Sequence, residues 1–222
     1  GWDVAFTYVS NQVAADEVIA AAKEIRATAK VKAYRMDLRD EAGIEATCEQ
    51  VLADFSDITA VVNNAAVIRD NAAVLMSNEE WLDVIACNLT APFLISRSFL
   101  MNMLANRKGR FIHISSLSAD GSSGQINYAT AKAGLDGLRT LAKEYARKGI
   151  TSNVVSVGFV PTDLTQNHMN EQLQKFWVEH CPAKRVGKAE EIAGMVHYLC
   201  TEPASFINGE NIRIAGGFTY AP

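Results

Sequence analysis

The chain has 222 residues, 49% of them hydrophobic, and its 25 acidic and 21 basic side chains leave a formal net charge of -4. That is enough apolar material for the core of one α/β domain, and a mildly acidic chain whose densest basic run is Arg107-Lys108-x-Arg110 offers no footprint for nucleic acid. With no apolar run of 18 or more residues and no charged-then-apolar leader, nothing points to a membrane and a cytoplasmic location is expected; Cys48, Cys87, Cys181 and Cys200 lack the Cys-x-x-Cys spacing of a metal cluster or disulfide frame.

Strand and helix signals alternate along the chain, which predicts a parallel sheet covered by helices on both faces, a doubly wound α/β fold in one domain over residues 1–222. Val4 to Val9 reads as a strand and Val13 to Ala29 as the helix after it. Val31 to Met36 is the next strand, and Ile44, Cys48, Val51, Leu52 and Phe55 recur at helical spacing. Thr59 to Asn63 is again strand. Helices are predicted over Asn78 to Asn88, with Ser77 and Glu80 at capping-box spacing, and over Ala91 to Arg107. Strand Phe111 to Ser115, a helix carrying Tyr128 and Lys132, strand Ser152 to Val157, helix Ala189 to Cys200 and strand Asn211 to Ala215 complete the run. His113 reads as a core histidine, and His168, His180 and His197 lack ligand spacing, so no metal site is expected.

The chemistry starts from Tyr128 and Lys132, four residues apart on a helix and so on one face of it. Such a pair also arises by chance at a surface. A free phenol, with a pKa of about 10, is a poor acid or base at neutral pH, and a neighbouring ammonium is expected to lower that value by roughly 1 to 3 units. Ser115 and Ser116 close the preceding strand, at the carboxyl end where open α/β sheets hold their ligands, and a hydroxyl there can hold a substrate oxygen.

Strand-Ser-Ser, a loop of about a dozen residues and then Tyr-x-x-x-Lys resembles the short-chain dehydrogenase/reductase family, as do Val61-Val62-Asn63-Asn64-Ala65-Ala66, Cys87-Asn88-Leu89-Thr90 and Val157-Gly158-Phe159-Val160-Pro161-Thr162. Ile68-Arg69-Asp70, Met76-Ser-x-Glu-Glu-Trp81, Gly124-Gln-x-Asn-Tyr128 and Ile214-Ala-Gly-Gly217 are most similar to bacterial 3-oxoacyl-(acyl carrier protein) reductases.

The resemblance implies a three-layer Rossmann-like sheet, a homotetramer and reversible hydride transfer between NADPH and a carbonyl. Catalysis would fall to Asn88, Ser116, Tyr128 and Lys132. The cofactor would be held by Ser10, Asp37, Leu38, Asn64, Ala65, Ala66, Tyr128, Lys132, Val160 and Thr162. Asn88 would hold a relay water, and residues 166–181 would form a substrate lid. The tetramer would pair the helices over Ala91 to Arg107 and Asn127 to Lys148, with Phe93, Leu94, Phe99, Leu100 and Met103 as candidate contacts and Gly216 to Pro222 near another interface. Ser10 stands where an acid would select NAD, which favours NADPH. An acyl thioester, carried on acyl carrier protein, would be the substrate. Residue-level alternatives stand beside these roles: Asn88 as a turn residue, Asn64 as a backbone brace, and Asp37 as the cap of the helix that begins near Asp40.

Departures from the family pattern are specific. The first strand and the glycine-rich turn do not appear, so a preceding segment is expected; a catalytically silent binding subunit is the alternative. Ala66 replaces a glycine and Val157 a proline. The loop from Ser116 to Tyr128 is one residue short; counted otherwise, Ser115 takes the catalytic place. The helix after Lys132 is also one residue short between Gly137 and Leu141, which would rotate the rest of that helix by about 100°.

Overall fold

The computed structural model describes residues 1–162 and 171–219, which divide into two compact units, Gly1–Ser56 and Asp57–Pro222. Every strand pairing in both is parallel, so the α/β class expected from the alternating pattern is the class observed.

The first unit is a strand-helix-strand-helix element. β1 (Val4–Tyr8) pairs with β2 (Val31–Arg35) from Val4 opposite Val31 to Tyr8 opposite Arg35. Between them runs α1 (Gln12–Ile25), capped by Asn11, whose side chain accepts from the Ala14 amide at 3.0 Å. The sequence pattern carries this helix to Ala29. In the structure it stops a turn earlier because Arg26 leaves helical geometry, its guanidinium donating to Trp2 O at 2.7 Å and to Asp3 at 2.6 Å. α2 (Glu41–Phe55) buries Ile44, Cys48 and Val51, the stripe its spacing dictates. Its cap is Asp40, which accepts from Gly43 N at 3.0 Å. Asp37 does not cap it.

The second unit holds a four-stranded sheet in the order β3-β4-β5-β6, made of Ala60–Asn63, Gly109–Ser116, Ile150–Val157 and Asn211–Ile214. β4 and β5 lie inside it and are buried along nearly their whole length, as central parallel strands must be. Residues 78–106 form one continuous helical run: α3 (Asn78–Ile85), a π turn (Ala86–Thr90) and α4 (Ala91–Asn106). The Ser77–Glu80 capping box starts it as the spacing predicts. By length and apolarity this run would suffice to cross a membrane, but Val84, Cys87, Ala91, Leu94, Phe99 and Met103 are buried in the protein. Three of the five predicted subunit contacts, Leu94, Phe99 and Met103, are thus used internally, whereas Phe93 stays exposed and Leu100 is half-buried.

α5 (Ile126–Gly134) and α6 (Thr140–Tyr145) are joined by a 3-10 stretch, Leu135–Arg139. Five residues at three per turn sweep about 600°, the angle that six α-helical residues sweep. The expected 100° rotation is therefore absorbed, and Leu135, which opens the stretch, and Ala142 beyond it are both buried. α7 (Glu171–His180) occupies part of the expected lid, a helix the sequence pattern does not announce, and α8 (Ala189–Cys200) covers β4 and β5 through Leu199. Residues 166–170 of the expected lid and 220–222 of the expected C-terminal interface lie outside the described residues.

Candidate active site

β4 decides which serine faces which way, because successive side chains on a strand point to opposite faces. Ser115 is buried and donates to the Lys132 carbonyl at 2.9 Å, a structural tie between β4 and α5. Ser116, one residue on, is the last residue of β4; its Oγ accepts from Ser118 N at 3.1 Å and lies close enough to the Tyr128 hydroxyl to lower its pKa. The structure therefore brings Ser116, and not Ser115, to the phenol.

Tyr128 and Lys132 lie on α5 and are 9% and 3% exposed. Lys132 Nζ stands 5.6 Å from the centre of the Tyr128 ring and donates to Ile114 O at 2.7 Å. The helical pairing alone predicts that the ammonium depresses the phenol pKa. No such depression is found: desolvation pushes Tyr128 up to about 12, opposed by Ser116 and reinforced by the charge of Asp70. The same desolvation pushes Lys132 down to about 8. Near pH 7 the phenol is thus fully protonated, the state a proton donor needs.

Asn88 sits in the π turn, fully buried. Its Oδ1 accepts from Val67 N and its Nδ2 donates to Val67 O, both at 2.9 Å, so its side chain braces the loop after β3. Ala66 and Val67 from that loop pack with Leu89 against the cluster of Ile68, Val84, Tyr128 and Ala131. Asn64 and Ala65 follow the end of β3 and are exposed. Val157 keeps β5 paired to its last residue, opposite both Ser116 and Ile214. After it Gly158 is required, since a Cβ there would lie 2.9 Å from the Ala215 backbone.

Loops from the carboxyl ends of β5 and β6 enclose a cavity of about 170 Å³, lined among others by Phe159, Val160, Trp177, Cys181, Arg185 and Ala215. Val160 faces it, and exposed Thr162 follows two residues on. In the first unit Ser10 is exposed two residues after β1, and Asp37 and Leu38 are half-buried after β2. Asp37 is gripped by Arg39 at 2.8 and 2.6 Å, and that guanidinium holds its carboxyl down at about 2.

Asn127, a motif residue to which the sequence pattern assigns no role, is fully buried and fixes the start of α5. Its Nδ2 donates to Arg69 O at 2.9 Å and its Oδ1 accepts from Tyr128 N at 2.7 Å. Gln125 adds a clasp to Asp70 at 3.0 and 3.1 Å. The available signal is a polar residue immediately before the tyrosine.

The donor set can be tested against a nicotinamide cofactor. Lys132 makes one hydrogen bond among the described residues although its ammonium has three N–H donors and is almost wholly buried. A vicinal diol, such as the ribose of a dinucleotide, satisfies those remaining donors, and the residues present fit the group.

A family model described as enoyl-(acyl carrier protein) reductase matches residues 1–219. The chain is 40% identical over 190 residues to the 3-oxoacyl-(acyl-carrier-protein) reductase of Haemophilus influenzae, covering 85% of this chain and 78% of that protein. With the enzyme of that name from Aquifex aeolicus it shares 37% over 215 residues, 95% of this chain and 86% of the other. Among solved structures, levodione reductase superposes with a TM-score of 0.92 at 30% identity, covering 98% of this chain and 88% of that one. A blue fluorescent protein from a metagenomic library, in complex with NADPH, superposes at 0.90 with 27% identity, covering 98% and 88%. The chain belongs to the short-chain dehydrogenase/reductase family. It is an NAD(P)-dependent oxidoreductase of the 3-oxoacyl-(acyl carrier protein) reductase-like kind.

Proposed function

We propose that the protein is an NADPH-dependent ketoreductase that converts 3-oxoacyl thioesters, carried on acyl carrier protein, to 3-hydroxyacyl thioesters, with Asn88, Ser116, Tyr128 and Lys132 as its working residues. The observation that carries the reading is the buried Tyr128 hydroxyl beside half-buried Ser116, with Lys132 on the same helix face. When bound, the reduced nicotinamide supplies the hydride to the carbonyl carbon.

Ser116 and Tyr128 donate hydrogen bonds to the carbonyl oxygen and stabilise the negative charge that develops there. Tyr128 then transfers its proton to that oxygen. A donor at about 12 still lies below an alkoxide in basicity, so the transfer is downhill even though Lys132 has not acidified the phenol. Lys132 holds the cofactor ribose, its Nζ 5.6 Å from the centre of the Tyr128 ring. Both polar ends of the Asn88 side chain are engaged with Val67, so a relay water falls to the peptide groups of the π turn around it.

NADPH is supported by the absence of an acidic side chain at Ser10 and by the cofactor in one structural neighbour. On the nicotinamide side the reading gives contacts to Asn64, Ala65, Ala66, Val160 and Thr162, and on the adenosine side to Ser10, Asp37 and Leu38. A homotetramer is part of the same reading, supported by the exposed Phe93 and Met101 on α4.

Purified full-length protein should oxidise NADPH in the presence of a 3-oxoacyl thioester and leave the corresponding 2-enoyl thioester untouched. Consumption of the enoyl substrate alone would overturn the ketoreductase reading. Light scattering at micromolar concentration should return four times the subunit mass.

A further inference from the structure

Tyr128 lies in the first turn of α5, yet the residue at the N-cap, Gln125, makes no side-chain cap bond to that helix. Another part of the chain holds the segment. In the loop after β3, Asn71 N donates to Gly124 O at 2.9 Å and Arg69 O accepts from Asn127 Nδ2 at 2.9 Å, while Gln125 Nε2 donates to both carboxylate oxygens of Asp70 at 3.0 and 3.1 Å. That loop is anchored on its far side as well. Arg69 pairs with Asp83 of α3 at 2.9 Å, and Val67 is engaged by Asn88 from the π turn. Asp70 itself is exposed, and its carboxylate stands close enough to Tyr128 for its charge to act on the phenol.

We propose that Asp70 is a positioning residue for the reduction: it acts through Gln125 to set the first turn of α5, and with it the place of the Tyr128 hydroxyl beside Ser116. The proposal rests on the ketoreductase reading above. A displacement of about 1 Å that begins away from the chemistry can cost about 10²-fold in rate, so a clasp just before the phenol controls a sensitive coordinate. Asn127, fully buried, serves the same turn from inside the fold. Asp70 serves it from the surface, so its loss moves the phenol without opening the core.

The test is steady-state reduction of a 3-oxoacyl thioester by full-length wild-type, Asp70→Ala, Gln125→Ala, doubly substituted and Asp70→Asn proteins, in H2O and in D2O. Asp70→Ala should lower kcat by about 10-fold, with KM for NADPH and thioester unchanged and thermal unfolding close to wild type. Its H2O/D2O rate ratio should rise, because transfer of the Tyr128 proton becomes the slow step. Gln125→Ala should match it, and the double variant should be no worse than either single one, as two halves of one clasp require. Asp70→Asn keeps an oxygen for the Gln125 amide and should recover most of the rate. If the wild-type protein reduces no 3-oxoacyl thioester, the ketoreductase reading fails and this proposal with it. If the wild type is active and Asp70→Ala keeps its kcat, only the assignment of Asp70 is overturned. A raised KM at unchanged kcat would make Asp70 a binding residue, additive losses would separate it from Gln125, and a lowered thermal transition with an unchanged isotope ratio would make it structural; each overturns the assignment.

Discussion

Two groups of buried polar side chains lie on β4 and its neighbours, and they are built on opposite rules. In the first, Asn63 Nδ2 donates to His113 Nδ1 at 3.0 Å, His113 Nε2 meets Ser152 Oγ at 3.2 Å, and Ser152 donates to Leu138 O at 2.9 Å. Each member spends its hydrogen-bonding capacity on another part of the protein. In the second, Tyr128 and Lys132 are buried to a similar degree beside half-buried Ser116, yet among the described residues Lys132 Nζ makes one hydrogen bond and the Tyr128 hydroxyl has Ser116 as its polar side-chain neighbour. A closed network fixes three strands and a helix against one another; an open one leaves capacity for a molecule that is not part of the chain. The difference separates structure from function more cleanly than burial does.

The largest effect should come from breaking the open group. Tyr128→Phe removes the proton donor and nothing else of comparable weight, so turnover should fall by about 10²- to 10⁴-fold while circular dichroism and thermal unfolding stay close to wild type. Turnover near the wild-type value would end the proton-transfer scheme. Ser116→Ala should lower kcat by roughly 10²-fold, as loss of one donor to a developing oxyanion does. Ser115→Ala should leave kcat nearly intact and cost about 1 kcal/mol of stability through its lost bond to the Lys132 carbonyl. The reverse ranking would exchange the roles of the two serines.

Lys132 tests whether the open group carries a stability penalty. Its folded pKa, about 8, lies below the value of an exposed lysine. The unfolded chain therefore binds more protons between about pH 8 and 10.5, and stability must rise with pH across that window. Lys132→Met should abolish reduction and yet stabilise the protein at pH 7 by about 1 to 3 kcal/mol, a gain that shrinks to nothing near pH 10.5. Chemical denaturation at pH 7 and 10.5 reads both numbers. A destabilised variant at pH 7 would mean that the ammonium is paired and the group is not open.

Much of this contrast is legible in the sequence. Tyr128 and Lys132 are related by helical periodicity, the serines by their place at a strand end, and the Ser77–Glu80 box by local hydrogen bonding, all short-range rules. The features that stay hidden depend on long-range balance. Nothing local shows that burial raises the Tyr128 pKa, that Val67 engages both ends of Asn88, or that Arg26 is drawn out of α1 toward Trp2 and Asp3. For the cap of α2, aspartate at 37 or at 40 fits the residue preference equally; Asp40 is the one within reach of the Gly43 amide. The 3-10 segment is a repair that only the packed faces of Leu135 and Ala142 make necessary.

The closed group makes the last prediction, and at neutral pH its effect is nil. His113 is fully buried, and desolvation alone pushes its pKa down to about 4 from an ordinary value near 6.5. The hydrogen bonds fix the neutral ring: Nδ1 accepts from the Asn63 amide and Nε2–H donates to Ser152, whose own proton goes to Leu138 O. A second ring proton would point at the Asn63 donor. In the unfolded chain the imidazole takes up a proton as pH falls through 6.5, so the native state loses relative stability from there down to about pH 4, by roughly 3 kcal/mol in total. Above pH 6.5 His113→Gln should change activity little, because no member of this network reaches the substrate. Between pH 6.5 and 4 the variant should show a flatter loss of stability than wild type when urea midpoints are compared. If both proteins lose stability in parallel across that interval, the acid limb belongs to other groups and the network is not closed around a neutral ring.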